Sequence, residues 1–196
     1  MLPYSMNKKL KAELIELTEA YNHLQHWFFA YPSREIGLND LSKELGVSKT
    51  TAKGIVLGLV DDEFLNRELL GRLWRISCNQ NHPFNHTRKI PYHLMLIYES
   101  SILQEIHHMI PNPRSITLFG SYRKGDDNEK SDIDIAVEVV GNEDVRIVKL
   151  GVIPQLGYRE NVAVNLYIFS RNKVDLNLFA NIVNGIVLEG FLEARP

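Results

Sequence analysis

Two aspartates one residue apart, Asp132 and Asp134, and a Gly120-Ser121 pair upstream are the residues here whose types and spacing suit chemistry. In a strand successive side chains alternate between faces, so Asp132 and Asp134 share one face while Ile133, Ile135 and Val137 take the other. Two carboxylates gathered on one face of a buried strand are costly unless a cation compensates them. Oxygen-only donors suit Mg²⁺, which binds through one or two carboxylates together with substrate phosphates. Glycine lets a backbone approach a ligand closely, and serine adds a hydroxyl beside the free amides of a helix start. The four residues therefore read as a metal–nucleotide pair of corners, one for phosphate and one for metal. Arg123, Lys124 and Lys130 lie between them and are either phosphate neutralisers or solvated charges.

The elements that must position these groups can be sketched from pattern. Ile116-Thr117-Leu118-Phe119 is a β-branched and aromatic run that stops at Gly-Ser, and Ile133 to Val137 is a second strand. The ten residues 122–131 suffice for one short helix and a turn that returns the chain beside the first strand. A third strand is expected over Asn161–Phe169, where Val162, Val164, Leu166 and Ile168 alternate with Ala163, Asn165 and Tyr167. Asp144–Leu150 is expected to be helical, Gly151–Arg159 a loop or strand, and Leu176–Leu188 a helix. Upstream, Asn79–Pro91 reads as a polar linker, followed by one helix over Tyr92–Met109 that ends at Pro111 and Pro113. Its apolar stripe serves either packing on the sheet or a homodimer contact, and the pattern leaves both open.

Gly120-Ser121, ten residues, then Asp132-Ile133-Asp134 resembles the signature of the DNA polymerase β-like nucleotidyltransferase superfamily. The fuller text, Leu118-Phe119-Gly120-Ser121-Tyr122-Arg123-Lys124-Gly125 with Ser131 to Ile135, is similar to its minimal branch, and the closing stretch 181–190 is similar as well. The resemblance implies transfer of a nucleoside monophosphate from a nucleoside triphosphate, with Gly120 and Ser121 binding the nucleotide phosphates. It also implies Asp132 and Asp134 as catalytic Mg²⁺ ligands. Enzymes of this kind are often partnered with HEPN-domain toxins, which makes a HEPN-type protein an implied acceptor. The family usually adds a third carboxylate from a neighbouring strand, and the matching position here is Asn165, which cannot act as a base. Glu138 lies about 13 Å beyond Asp134 along the strand, and Asp175 follows the third strand, so neither replaces it.

The N-terminal part has a different character. Asn7–Ala30 has helical periodicity through Leu10, Leu14, Leu17, Tyr21, Leu24 and Phe28, and Pro32 ends it. Leu38–Leu45 fits a short helix closed by Gly46, and Ser48 is placed to N-cap a third helix from Lys49 to Leu59. Phe64–Arg67 and Leu73–Ile76 read as a hairpin with Gly71 in the turn. Three helices and a hairpin resemble the winged helix-turn-helix domain, which implies double-stranded DNA as partner and Lys49, Thr50, Thr51, Lys53 and Arg72 as DNA-binding residues, with Arg67 and Arg75 beside the wing. The expected fold class is thus α+β: a winged helix-turn-helix domain over 1–80, a linker and connecting helix over 81–110, and a nucleotidyltransferase-type mixed sheet with flanking helices over 111–196. The chief alternative is a DNA-binding regulator whose second domain binds nucleotide without turnover.

Composition sets the outer limits. Hydrophobic residues make up 44% of the chain and charged ones 23%, as in ordinary globular proteins. The net charge of −2 gives no global basic signal, so nucleic-acid binding needs a local patch. One cysteine, Cys78, excludes an internal disulfide and suits a reducing compartment, and with no long apolar run the expectation is a cytoplasmic protein without membrane contact. The seven histidines lack the spacing of a metal cluster and read as solvent-facing.

Overall fold

The computed structural model describes residues 19–194, so the first twelve positions of the helix expected over Asn7–Ala30 lie outside them. The chain divides into two compact units, residues 1–79 and 80–196.

In the first unit an aromatic-rich helix, α1 (Glu19–Ala30), buries Leu24, Trp27 and Phe28. Helix α2 (Leu38–Glu44) ends at Gly46, whose φ of +63° is the left-handed closure that glycine adopts without strain. Helix α3 (Lys49–Asp61) starts where the Ser48 hydroxyl accepts from the Thr51 amide at 3.0 Å, a cap worth about 1 kcal/mol. Ala52, Val56 and Leu59 form its buried face at helical spacing. Strands β1 (Leu65–Leu70) and β2 (Leu73–Cys78) pair antiparallel around Gly71-Arg72, and an isolated bridge joins Ile36 to Ile76. Both strands run longer than expected, because charges meet across them: Glu68 opposes Arg75 and the two form an ion pair.

The second unit begins where a linker was expected. Asn79–Pro91 instead contains α4 (Phe84–Thr87) and the start of α5 (Lys89–Glu99). Pro91 fits because the first helical turn has no amide to lose. The single helix expected over Tyr92–Met109 is two, α5 and α6 (Ile102–Met109). Ser100 adopts an extended backbone between them, and its hydroxyl caps the Ile97 carbonyl at 2.7 Å.

Five strands follow in the spatial order β5-β6-β4-β3-β7, with only β4 and β6 parallel. They are β3 (Ser115–Phe119), β4 (Ile133–Glu138), β5 (Arg146–Leu156), β6 (Arg159–Phe169) and β7 (Ile186–Gly190). Two segments expected to be helical differ in the structure. Asp144–Leu150 is not helical: from Arg146 the chain is strand β5, whose β-branched residues pair with β6 through a two-residue Gly157-Tyr158 turn. The helix expected over Leu176–Leu188 stops early as α8 (Leu176–Val183), and Ile186–Gly190 becomes an edge strand on β3. Gly185 makes that switch possible, since a Cβ there would sit 2.5 Å from Thr117 Cγ2 and 2.6 Å from the Leu118 carbonyl oxygen. One sheet face packs Ile116, Leu118, Ile133, Ile135, Val164 and Leu166 with Ile97 and Ile106 of α5 and α6. On the other face α8 brings Ile182 against Phe119, Ala136 and Phe169. Among the described residues no helix is long and apolar enough to cross a membrane.

Candidate active site

Strand β3 is buried along its whole length and delivers Phe119 to the end of the sheet. The chain then leaves it through Gly120, at φ +74° and ψ −151°, a conformation reserved for glycine. A side chain there would also be excluded by contact, because a Cβ on Gly120 would lie 2.8 Å from Asp134 Oδ2. The glycine expected at the phosphate corner is therefore pressed against the carboxylate expected at the metal corner. Ser121 opens the one-turn helix α7 (Ser121–Lys124), which Gly125 closes with φ +77°.

Asp134 stands directly opposite Phe119 on β3 and beside Asn165 on β6. Asp132 lies just before β4. The Asn165 amide donates to both carboxylates, at 3.2 Å to Asp132 Oδ2 and 3.4 Å to Asp134 Oδ1. Gly120, Asp132, Asp134 and Asn165 thus come together at one end of the α8 face of the sheet. Burial pushes the Asp134 carboxyl up, the hydrogen bond from Asn165 pulls it down, and the Asp132 charge pushes it up again. On the same face Tyr167 packs edge-on against Phe119 at 4.9 Å, and burial raises its phenol. Lys149 of β5 is the cross-strand neighbour of Asn165, so one rung of the sheet reads Lys149, Asn165, Asp134, Phe119.

The other carboxylates considered from sequence have different work. Glu138 is buried on β4 and bound by Arg171 and Arg114, and Asp175 caps α8 by accepting from the Asn177 and Leu178 amides. Among the described residues no group of three or more His, Cys, Asp or Glu side chains could hold a metal. The donor set at this corner is two carboxylates and one amide. Its chemistry fits a hard divalent cation that completes its shell with phosphate oxygens and water. Arg123 and Lys124 line a shallow depression with His86, Ile90, Asp126 and Ile186, and Lys130 is exposed.

Five buried residues that hold the stretch between Ser121 and Asp132 were not foreseen. Tyr122, Lys89, His93, Asp127 and Arg159 are all buried. Lys89 Nζ lies 3.1 Å from Asp127 Oδ1, and His93 Nδ1 lies 3.5 Å from the same oxygen. Burial pushes the Asp127 carboxyl up to about 6, against the pull of Lys89 and Arg159. Lys89 lies in a polar stretch and Arg159 ends one that reads as loop or strand, and nothing local marks a charged residue for burial. His93 also corrects the expectation that every histidine faces solvent; it packs on the Tyr122 ring at 4.5 Å.

In the first unit, Lys49, Lys53 and Arg72 line one cavity of about 320 Å³ with Asp40, Leu73 and Trp74. Thr50 and Thr51 are exposed on the first turn of α3, where the Thr51 and Ser48 hydroxyls lie 2.8 Å apart. The remaining arginines of the hairpin are engaged: Arg67 stacks over Trp74 at 4.7 Å, and Arg75 pairs with Glu68 and Glu35.

No curated protein matches the chain. Residues 99–182 match the family model of the nucleotidyltransferase domain, a stretch that runs from the end of α5 to α8 and holds Gly120, Ser121, Asp132, Asp134 and Asn165. The second unit is therefore similar to nucleotidyltransferase domains, whose general chemistry is nucleotidyl transfer from a nucleoside triphosphate.

Proposed function

We propose that the second unit binds a nucleoside triphosphate with Mg²⁺ and transfers its nucleoside monophosphate to an acceptor. The observation that carries this reading is the contact between the two corners: Gly120 can only be glycine because Asp134 lies against it. In this reading Ser121 and the amides of the α7 start receive phosphate oxygens, and Asp132 and Asp134 hold the cation. When bound, Mg²⁺ neutralises charge on the phosphates during transfer. Asn165 aligns the two carboxylates through its amide hydrogens. An acceptor oxygen bonds to the α-phosphorus as its bond to the β-phosphate oxygen breaks and pyrophosphate leaves. The acceptor's proton goes to water or to one of the two carboxylates, since Asn165 has no basic site to take it. A HEPN-type protein is one acceptor consistent with the resemblance.

The first unit adds DNA to the reading. A Ser48-capped helix followed by a hairpin suits a winged helix, and Lys49, Lys53 and Arg72 around one cavity supply a local basic patch against a chain of net charge −2. Asn165 favours a second reading, in which the same site binds nucleotide without turnover and signals to a DNA-bound regulator. Incubation with Mg²⁺ and each nucleoside triphosphate radiolabelled in the α-phosphate, alone and with cell extract, separates the two. Transfer of label supports the enzyme; nucleotide binding in calorimetry with no label transferred under any condition rejects it in favour of the regulator.

A further inference from the structure

Between Ser121 and Asp132 the chain must turn back from the end of β3 to the start of β4, and after α7 it does so as loop. What fixes that loop lies beneath it. Arg159, the first residue of β6 and only 6% exposed, donates to the Tyr122 hydroxyl, to the Ser131 carbonyl at 2.7 Å and to the Glu129 carbonyl at 3.1 Å. Lys89 of α5, 1% exposed, donates to the carbonyls of Asp127 at 2.6 Å and Gly125 at 3.3 Å. Every second carbonyl from Gly125 to Ser131 is thus held by a buried cation. The start of the loop is pinned as well, because a Cβ on Gly125 would lie 2.0 Å from the Asn85 carbonyl oxygen.

Two cations are buried here with the Asp127 carboxylate between them, and one oxygen of the Glu129 carboxylate on the same loop is buried as well. A buried guanidinium whose hydrogen-bond acceptors are all neutral is an expensive way to stabilise a loop. It is better suited to a place where negative charge gathers nearby, and Asp132 follows directly on the carbonyl that Arg159 holds. We infer that Arg159 is a positioning residue of the nucleotide site. It ties Tyr122, next to Ser121, to Ser131, next to Asp132, and so sets the separation between phosphate corner and metal corner. This inference rests on the nucleotide-site reading. Lysine cannot replace it, because a point ammonium on a flexible stem does not span three acceptors as a planar fork does.

The test uses the full chain, Mn²⁺ and the non-transferable analogue adenosine 5′-(α,β-methylene)triphosphate, titrated by calorimetry at a temperature where every variant is folded by circular dichroism. Arg159→Lys is expected to bind about 10- to 100-fold more weakly than the wild type, the range for disturbed support of metal ligands or a displacement near 1 Å. Tyr122→Phe, which removes one hydrogen bond, is expected to bind several-fold more weakly. A purely structural Arg159 would lower the melting temperature and leave the affinity of the folded protein unchanged, and Arg159→Lys binding within twofold of wild type overturns the inference. If Arg159→Lys does not fold, Tyr122→Phe decides, and unchanged affinity there overturns it too. Asp132→Asn serves as the control: if it binds as the wild type does, the site reading itself fails, and the inference with it.

Discussion

Replacing Asn165 with aspartate reverses the one feature that distinguishes this corner from a three-carboxylate site. Without a cation, Asn165→Asp removes two amide hydrogen bonds to carboxylates, at 3.2 and 3.4 Å. Both are long and partly solvated, so their loss costs about 0.5 kcal/mol each, the low end for an ordinary neutral hydrogen bond. The new charge would stand beside two others. A pair of like charges 4 Å apart costs about 4 kcal/mol at an effective dielectric of 20, and Asp132 is exposed while Asp134 is half-buried, so solvent reduces this to about 1 kcal/mol in all. The sum of about 2 kcal/mol lowers the melting temperature of the second unit by about 8 °C. A divalent cation with nucleotide inverts the balance, because the third carboxylate becomes a ligand. At one hundred times its dissociation constant a ligand stabilises by about 2.7 kcal/mol, and each tenfold gain in affinity adds about 1.4 kcal/mol. Thermal unfolding followed with chelator and with millimolar Mg²⁺ plus nucleotide should therefore show the variant below wild type without metal and a larger metal-dependent rise. Equal melting temperatures without metal, or equal rises with it, would refute the assignment of Asn165 to the metal corner.

Other expectations follow from single features. Gly120→Ala places a methyl 2.8 Å from Asp134 Oδ2 at a backbone angle suited only to glycine, which should cost about 2–4 kcal/mol in urea unfolding and weaken Mn²⁺ binding at least tenfold; an unchanged midpoint would mean that the corner is open. His26 has its pKa lowered to about 4, by burial first and then by His23. Its stabilising contribution is therefore full above pH 6.5 and is lost as pH falls from there towards 4. Discounted for partial exposure, this is about 1 kcal/mol. His26→Gln should flatten the acid side of the stability curve, and an unaltered curve would contradict the burial argument. For the first unit, Lys49→Ala with Lys53→Ala should weaken retardation of duplex DNA. The slope of log affinity against log salt should flatten by about 1.8, the value for two lost phosphate contacts. An unchanged slope would remove α3 from the interface.

What the sequence revealed depended on whether a signal was local. Gly120, Ser121, Asp132 and Asp134 could be found because a strand's alternation and a fixed spacing place them, and the register of β3, β4 and β6 brings Asn165 to the same corner. Ser48 and Gly46 announced their helix ends through their own chemistry. The errors arose where two patterns overlap or where distant contacts decide. Arg146–Leu156 carries apolar residues at intervals that serve either helix or strand, and pairing with β6 selects strand. The Ile186–Gly190 stretch continues an apolar helix by periodicity, yet an open edge on β3 captures it. Lys89, Asp127 and Arg159 were invisible, because burial of a charge depends on partners 28 or more residues away.

In the proposed nucleotide site Asp132 and Asp134 form the metal side, and Gly120 and Ser121 close it. Mn²⁺ bound to the protein broadens and quenches the paramagnetic resonance of the free ion, which makes occupancy directly measurable in the presence of a non-transferable nucleotide analogue. Wild type should bind one Mn²⁺ per chain, and the nucleotide should tighten that binding. Asp132→Asn with Asp134→Asn should abolish it while the melting temperature without metal stays the same or rises, since two neighbouring charges are removed. Mn²⁺ and nucleotide bound by the double variant with wild-type affinity would contradict the account.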